Sequence, residues 1–202
     1  MVRNIPYHPV ILASQSPRRQ ELLARITQDF VVHPADVDKS LSPACTPKEN
    51  VRMLAKRKAA AVFAQAEPEA LVIAADTIVV CDDTILGKPQ DKADAVRMLE
   101  LLSGRTHQVM TAVCVKTADT EQAQVSVTDV TFRPLREGEA EAYADSGEPM
   151  DKAGAYGIQG QGGLLISGID GDYYGVMGLP ICMLDEMLQQ ICSGNNAETQ
   201  KG

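Results

Sequence analysis

The chain has 202 residues, 45% of them apolar, and 27 acidic residues against 19 Lys and Arg give it a net charge of −8. That is enough apolar material for one sizeable core or two small lobes folded together, and the acidic balance argues against a nucleic-acid coat or a membrane-surface binder, both of which need a basic face. No apolar run reaches the roughly 18–20 residues of a membrane helix and no leader pattern opens the chain, so the expectation is a cytoplasmic protein that catches any anionic ligand with a local basic site.

Residues 1–9 carry two prolines and no periodicity and read as an N-terminal extension; residues 10–192 read as a single domain. Val10 to Ala13 is a short apolar strand, followed by Ser16 as a helix N-cap and Pro17 at the first helical position. Arg18 and Arg19 then fall at the positive end of the helix dipole, where a cation is disfavoured by roughly 0.3–1 kcal/mol unless an anion arrives. Free backbone N–H groups, the Ser14 and Ser16 hydroxyls and two guanidinium forks make a receptor for a phosphate chain. The plainer alternative is a solvated helix start with an arginine pair on the surface.

Phe30 to Val32 reads as a second strand, leading into a loop from Asp36 to Cys45 rich in carboxylates and hydroxyls. Thr46, Pro47 and Glu49 supply an N-cap, an N1 proline and a capping-box glutamate for the next helix. Its apolar stripe of Val51, Leu54, Ala55, Ala59, Val62 and Phe63 includes Lys58 but neither Lys56 nor Arg57. A lysine on a buried face either meets an anion or snorkels past the core to water. Leu71 to Val80 reads as a buried strand with Asp76 and Thr77 in its middle. A carboxylate there is costly unless paired, hydrogen-bonded or metal-bound, which makes Asp76 the leading catalytic candidate, set against an Asp that merely caps a backbone N–H. Asp82 and Asp83 read as a hairpin turn whose return arm delivers Lys88 ahead of Pro89, either toward the same site or simply to solvent.

Asp91 starts a helix with Asp94 in its first turn, Met98, Leu99 and Leu102 on one face and Gly104 past its end. Two strands follow, about His107 to Lys116 and Val125 to Arg133, then a short acidic helix from Leu135 to Ala144. His33 and His107 lack metal-ligand spacing and read as surface or structural residues. Asp151 to Gly163 holds five glycines in thirteen residues, a surface turn or a loop whose backbone approaches a ligand, in which the Gln159 amide can complement the edge of a uracil or thymine. Leu164 to Ile169 and Tyr173 to Met177 read as a hairpin about Asp170 and Gly171. Pro180 opens a last helix with Ile181, Leu184, Leu188 and Ile191 inward, and 193–202 reads as a flexible tail. The five cysteines are odd in number, lack CxxC spacing and fall mostly in apolar stretches, so they read as reduced core thiols. Strands alternating with helices, with hairpin-like pairs in the middle, predict an α/β protein with a mixed sheet flanked by helices.

Six blocks carry a resemblance: SxSPRRxELL at 14–23, LAKRKA at 54–59, AADT at 74–77, GKP at 87–89, SGRTHQVMTAV at 103–113 and DKAGAYGIQG at 151–160. In order and spacing they resemble the motifs of the Maf family of nucleotide pyrophosphatases, from about Val10 to about Leu188, and the RR and GAYGIQG versions are similar to the branch that hydrolyses dTTP and UTP. The resemblance implies a twisted mixed sheet in two lobes with a cleft, as in inosine triphosphate pyrophosphatase. It implies cleavage of a nucleoside triphosphate between its α and β phosphates, and a homodimer. It also implies that Ser14, Ser16, Arg18, Arg19, Lys58 and Lys88 hold the triphosphate, that Asp76 serves as base or metal ligand with Asp38 beside it, and that Thr77, Gln159 and Arg18 bear on base choice. An oxygen-ligand site of this kind suits Mg²⁺ or Mn²⁺. One position departs: Val37, Asp38 and Lys39 stand where the family has a VDE-like stretch, so a cation replaces a second carboxylate. That departure favours an alternative, a weakly active nucleotide-binding regulator of septum formation. A purine-analogue pyrophosphatase is disfavoured by GAYGIQG and Arg18.

Overall fold

The computed structural model describes residues 5–198 and contains a mixed sheet whose strands, in chain order, are β1 Val10–Leu12, β2 Val31–Val32, β3 Leu71–Cys81, β4 Thr84–Leu86, β5 Thr106–Lys116, β6 Glu121–Phe132 and β7 Ile166–Asp170. Its order is β2-β1-β3-β5-β6-β7, with β4 paired to β3. The helices are α1 Pro17–Leu23, α2 Pro47–Phe63, α3 Lys92–Leu102, α4 Glu139–Asp145, α5 Tyr173–Met177 and α6 Ile181–Glu198. The chain divides into two compact units, one of residues up to Asp76 with Ala112–Ser126 and Gly178 onward, the other of Thr77–Thr111 and Val127–Met177. Strands β3, β5 and β6 therefore each contribute residues to both.

In the first unit β1 pairs in parallel with β2 and with β3, in the register Val10↔Leu71, Ile11↔Val72 and Leu12↔Ile73. All three β1 residues and Leu71 through Ala75 are buried, the continuous apolar run of an interior parallel strand. Helix α2 has its expected capping box: Glu49 N donates to Thr46 Oγ1 at 3.3 Å and Thr46 N donates to Glu49 Oε2 at 2.8 Å. Its buried face is Val51, Leu54, Ala55, Lys58, Ala59 and Val62. Two α2 side chains also organise the polar loop before it. Buried Asn50 accepts from Ser42 N at 2.8 Å and donates to the carbonyls of Ser42 and Cys45, while Arg57 Nη1 donates to the carbonyls of Asp38 and Ser40.

In the second unit Asp82 and Asp83 adopt φ values of 47° and 61°, the left-handed pair that a tight two-residue hairpin between β3 and β4 needs. Asp91 caps α3 through Asp94 N at 2.8 Å, and Gly104 follows it at φ 68°. The core here joins Leu99 and Leu102 of α3 to Phe132, Tyr156 and Leu165. His107, Phe132 and Tyr156 stack edge to face, with ring centroids 4.8 Å apart for the Phe132–Tyr156 pair.

Several expectations are corrected. Tyr173 to Met177 is helical rather than the return arm of a hairpin, because Asp172 Oδ1 accepts from Tyr174 N at 2.8 Å and the Asp172 carbonyl accepts from Val176 N, which starts a helical turn. Strand β7 pairs antiparallel with β6 instead, through Val130↔Ile169. The acidic helix begins at Glu139 rather than Leu135, after Gly138 at φ 73°. Helix α6 continues through residues 193–198, where the polar composition reads as tail. Cys81 and Cys114 are buried as expected, but Cys45 and Cys192 are only half-buried and Cys182 is exposed, off the Leu184–Leu188 face of α6. The ends of the expected extension and tail, 1–4 and 199–202, lie outside the described residues. Among the described residues no helix is long and apolar enough to cross a membrane.

Candidate active site

A cluster of charge in the first unit forms at the start of α1 and where Lys58 of α2 meets Asp76 of β3. Ser14 is buried, and its Oγ accepts from Ser16 N at 3.2 Å and from Arg19 Nη1 at 3.4 Å. The Ser16 side chain makes no cap bond of its own; its backbone N–H is taken by Ser14 Oγ. Arg19 Nε donates to the Gly178 carbonyl at 2.8 Å, which fixes the guanidinium at both ends. Burial pulls Arg19 below the usual arginine range; the Asp76 charge opposes that and Arg18 adds to it.

From the buried face of α2, Lys58 donates to Asp76 Oδ1 and, at 3.4 Å, to the Ala75 carbonyl. The Lys58 and Asp76 side chains are only 11% and 16% exposed. The carboxylate in the middle of β3 is therefore paired, as its position demands. Burial holds Lys58 below the usual lysine range against the attraction of Asp76, and the charges of Arg19 and Lys39 push the same way as burial. Asp76 and the cations Arg18, Arg19, Lys39 and Lys58 thus act on one another. A cluster of like charges of this kind is relieved by an incoming polyanion.

Asp38 is not part of that cluster. It is exposed, and its two oxygens accept from Ser40 N at 2.8 Å and Ser40 Oγ at 2.6 Å, bonds that hold it below the usual carboxylate range. Among the described residues no three His, Cys, Asp or Glu side chains converge as a metal cage. Asp76 Oδ2 accepts no hydrogen bond from them and stays open. One open carboxylate oxygen fits a hard cation held mostly by phosphate oxygens and water, the usual habit of Mg²⁺, rather than one caged by protein.

In the second unit Thr111 donates to the Gly175 carbonyl at 2.7 Å, so the 2.9 Å contact between the Thr77 and Thr111 hydroxyls has Thr77 as donor. Lys88 is exposed on a shallow depression of about 580 Å³ that Gln90, Asp91, Asp94 and Arg97 also line. No carboxylate among the described residues pairs with it; Asp94 is taken by Arg97 at 2.6 Å. Gln159 is exposed, and its loop is built on a residue the sequence did not single out. Glu148 accepts from Tyr143 Oη at 2.8 Å, Gln161 N at 3.0 Å and Gly162 N at 3.3 Å. A Cβ on Gly160 would fall on the Glu148 carboxylate and one on Gly162 would meet Tyr143 Oη at 2.5 Å. These two glycines make room for protein groups. Thr111 and the Gly178 carbonyl were also missed; a polar residue inside the apolar β5 run was the available signal for the first.

Residues 9–191 match the family described as Maf-like protein. A dTTP/UTP pyrophosphatase of Bacillus velezensis is 48% identical over 181 residues, 90% of this chain and 95% of that one. Another, of Moorella thermoacetica, is 50% identical over 89% of this chain and 93% of its own. The Ham1 protein of Staphylococcus aureus shares the fold at a TM-score of 0.51 with 16% identity, covering 90% of this chain and 98% of that one. With that match across nearly every described element, and about half of the residues shared with such relatives, the chain belongs to the Maf family.

Proposed function

We propose that the protein is a nucleoside triphosphate pyrophosphatase acting on dTTP and UTP, releasing the nucleoside monophosphate and pyrophosphate. The observation that carries this reading is the Asp76 carboxylate held by Lys58 in the middle of β3 and ringed by cations, in a chain whose relatives are named for that activity. Arg18, Arg19 and Lys58 neutralise phosphate oxygens, with Arg19 held in place by Ser14 and Gly178. Lys58 fixes Oδ1 of Asp76, so Oδ2 is the oxygen that takes the proton of the attacking water. The water oxygen bonds to the α phosphorus as the phosphoanhydride bond between the α and β phosphates breaks, its electron pair leaving on pyrophosphate. When bound, Mg²⁺ or Mn²⁺ would supply further charge neutralisation, held mainly by phosphate oxygens and water; Oδ2 of Asp76 would ligate it only at the expense of the base role, and Asp38 would join only by giving up Ser40. Ser16, Lys88, Thr77 and Gln159 enter the reading through their motifs, the last two as determinants of the base.

The test is product analysis with UTP, dTTP, CTP, ITP, GTP and ATP. Equimolar UMP or dTMP and pyrophosphate, with the purine triphosphates turned over far more slowly, is the expected result. Release of orthophosphate and a diphosphate, or preference for ITP, would overturn it.

A further inference from the structure

Lys39 lies in the loop ahead of α2, and the chain on either side of it is tied to that helix by one residue. Arg57 Nη1 donates to the Ser40 carbonyl at 3.1 Å and to the Asp38 carbonyl at 3.5 Å, so a single guanidinium grips the backbone just before and just after Lys39. The Asp38–Ser40 bonds tighten the same turn. Arg57 is the helical neighbour of Lys58, and the grip holds Lys39 close enough for its charge to act on the Lys58 ammonium. Lys39 itself is exposed, and among the described residues no carboxylate pairs with it. An exposed lysine held beside a buried, already crowded cation, without a counterion, is unfavourable until an anion bridges the two.

We propose that Lys39 is a further phosphate-binding residue of this site, for the phosphate chain of the nucleotide and for pyrophosphate, and that Arg57 is the residue that positions it. The inference rests on the pyrophosphatase reading for its substrate but not for its geometry. A cation here strengthens the grip on the phosphate chain and on the leaving pyrophosphate alike, so product release is part of what Lys39 affects. Arg57 carries no role in substrate contact; it acts through the Lys39 backbone.

The probe is inorganic pyrophosphate, titrated calorimetrically into the full chain, with kcat/KM for UTP measured in parallel. Lys39→Met is expected to weaken pyrophosphate binding roughly threefold to fivefold, the upper part of the range for a single exposed ion pair. Lys39→Arg should restore it, and the difference between Lys39→Met and the unsubstituted chain should shrink at an ionic strength near ~0.5 M, where such contacts are screened. Arg57→Leu should produce a smaller loss, and adding it to Lys39→Met should cost nothing more. Equal pyrophosphate affinity in Lys39→Met and the unsubstituted chain, a salt-independent loss, or additive effects of the two substitutions would overturn the proposal. Pyrophosphate binding that depends on Lys39 in a chain that hydrolyses no triphosphate would sustain it while sinking the pyrophosphatase reading.

Discussion

Asp76 and Lys58 stand out in the sequence for one physical reason: each is a charged residue inside an otherwise apolar pattern, one with strand periodicity and one with helical periodicity. Both patterns hold, and the two charges meet in an ion pair. The arginines of α1 were legible as a pair in the wrong place for cations, but not how Arg19 is fixed. One of its partners is a backbone carbonyl at Gly178, and a carbonyl distant in sequence leaves no trace in composition or spacing. The grip of Arg57 on the loop carbonyls leaves no sequence trace for the same reason. The fork geometry of Arg19 leads to a definite expectation. Arg19→Lys keeps the charge yet cannot hold Ser14 and Gly178 while facing phosphate, so KM for UTP should rise about tenfold, the value of one charged hydrogen bond. Steady-state kinetics showing an unchanged KM would remove the fork from the mechanism.

At the scale of elements, caps and turn chemistry carried well from sequence to structure. Thr46 and Glu49, Asp91 and Asp94, and the Asp82–Asp83 turn all form as their residue types dictate. The segment after β7 did not, because Asp172 can begin a helical turn as readily as a hairpin and its bonding to Thr128 decides the matter: Thr128 Oγ1 accepts from Asp172 N at 2.9 Å and donates to the Asp172 carbonyl. The glycine-rich loop shows a second kind of failure, since composition announces freedom of the backbone but not what occupies the space. Gly154 sits at φ 70°, and a Cβ there would lie 2.8 Å from the Val79 side chain. Gly154→Ala should therefore destabilise the protein by about 2–3 kcal/mol through strain and overpacking together. Urea unfolding would register this as a lower midpoint with an unchanged slope; a midpoint equal to that of the unsubstituted chain would mean the loop has room to yield.

For the whole molecule, the mixed sheet was legible from the contrast between a continuous apolar run such as β3 and the short paired arms around it. The two compact units were implied by the family resemblance, but their boundaries were not legible. Their junctions at Asp76/Thr77, Thr111/Ala112 and Ser126/Val127 fall inside continuous strands, where no proline-rich or polar linker marks a boundary. Stability of the whole should carry a pH signature from His107, whose Nε2 is bonded to Tyr156 Oη at 2.7 Å and whose Nδ1 is buried with no partner among the described residues. Burial lowers its pKa from 6.5 to about 4, against a weaker opposing pull from Asp129. Above the unfolded value both states are neutral and the residue is silent. As pH falls from about 6.5 toward 4 the unfolded chain takes up the proton first, so stability declines, by up to roughly 3 kcal/mol. His107→Gln should flatten that part of the profile of unfolding free energy against pH, and parallel profiles for the two proteins would assign the pH dependence elsewhere. Asp76→Asn, with UTP turnover and UTP binding measured on the same preparation, decides whether the carboxylate in the middle of β3 is the catalytic group. The amide still accepts from Lys58 but no longer takes a proton, so turnover should fall by at least about a hundredfold while the nucleotide still binds. Turnover near that of the unsubstituted chain would contradict the claim.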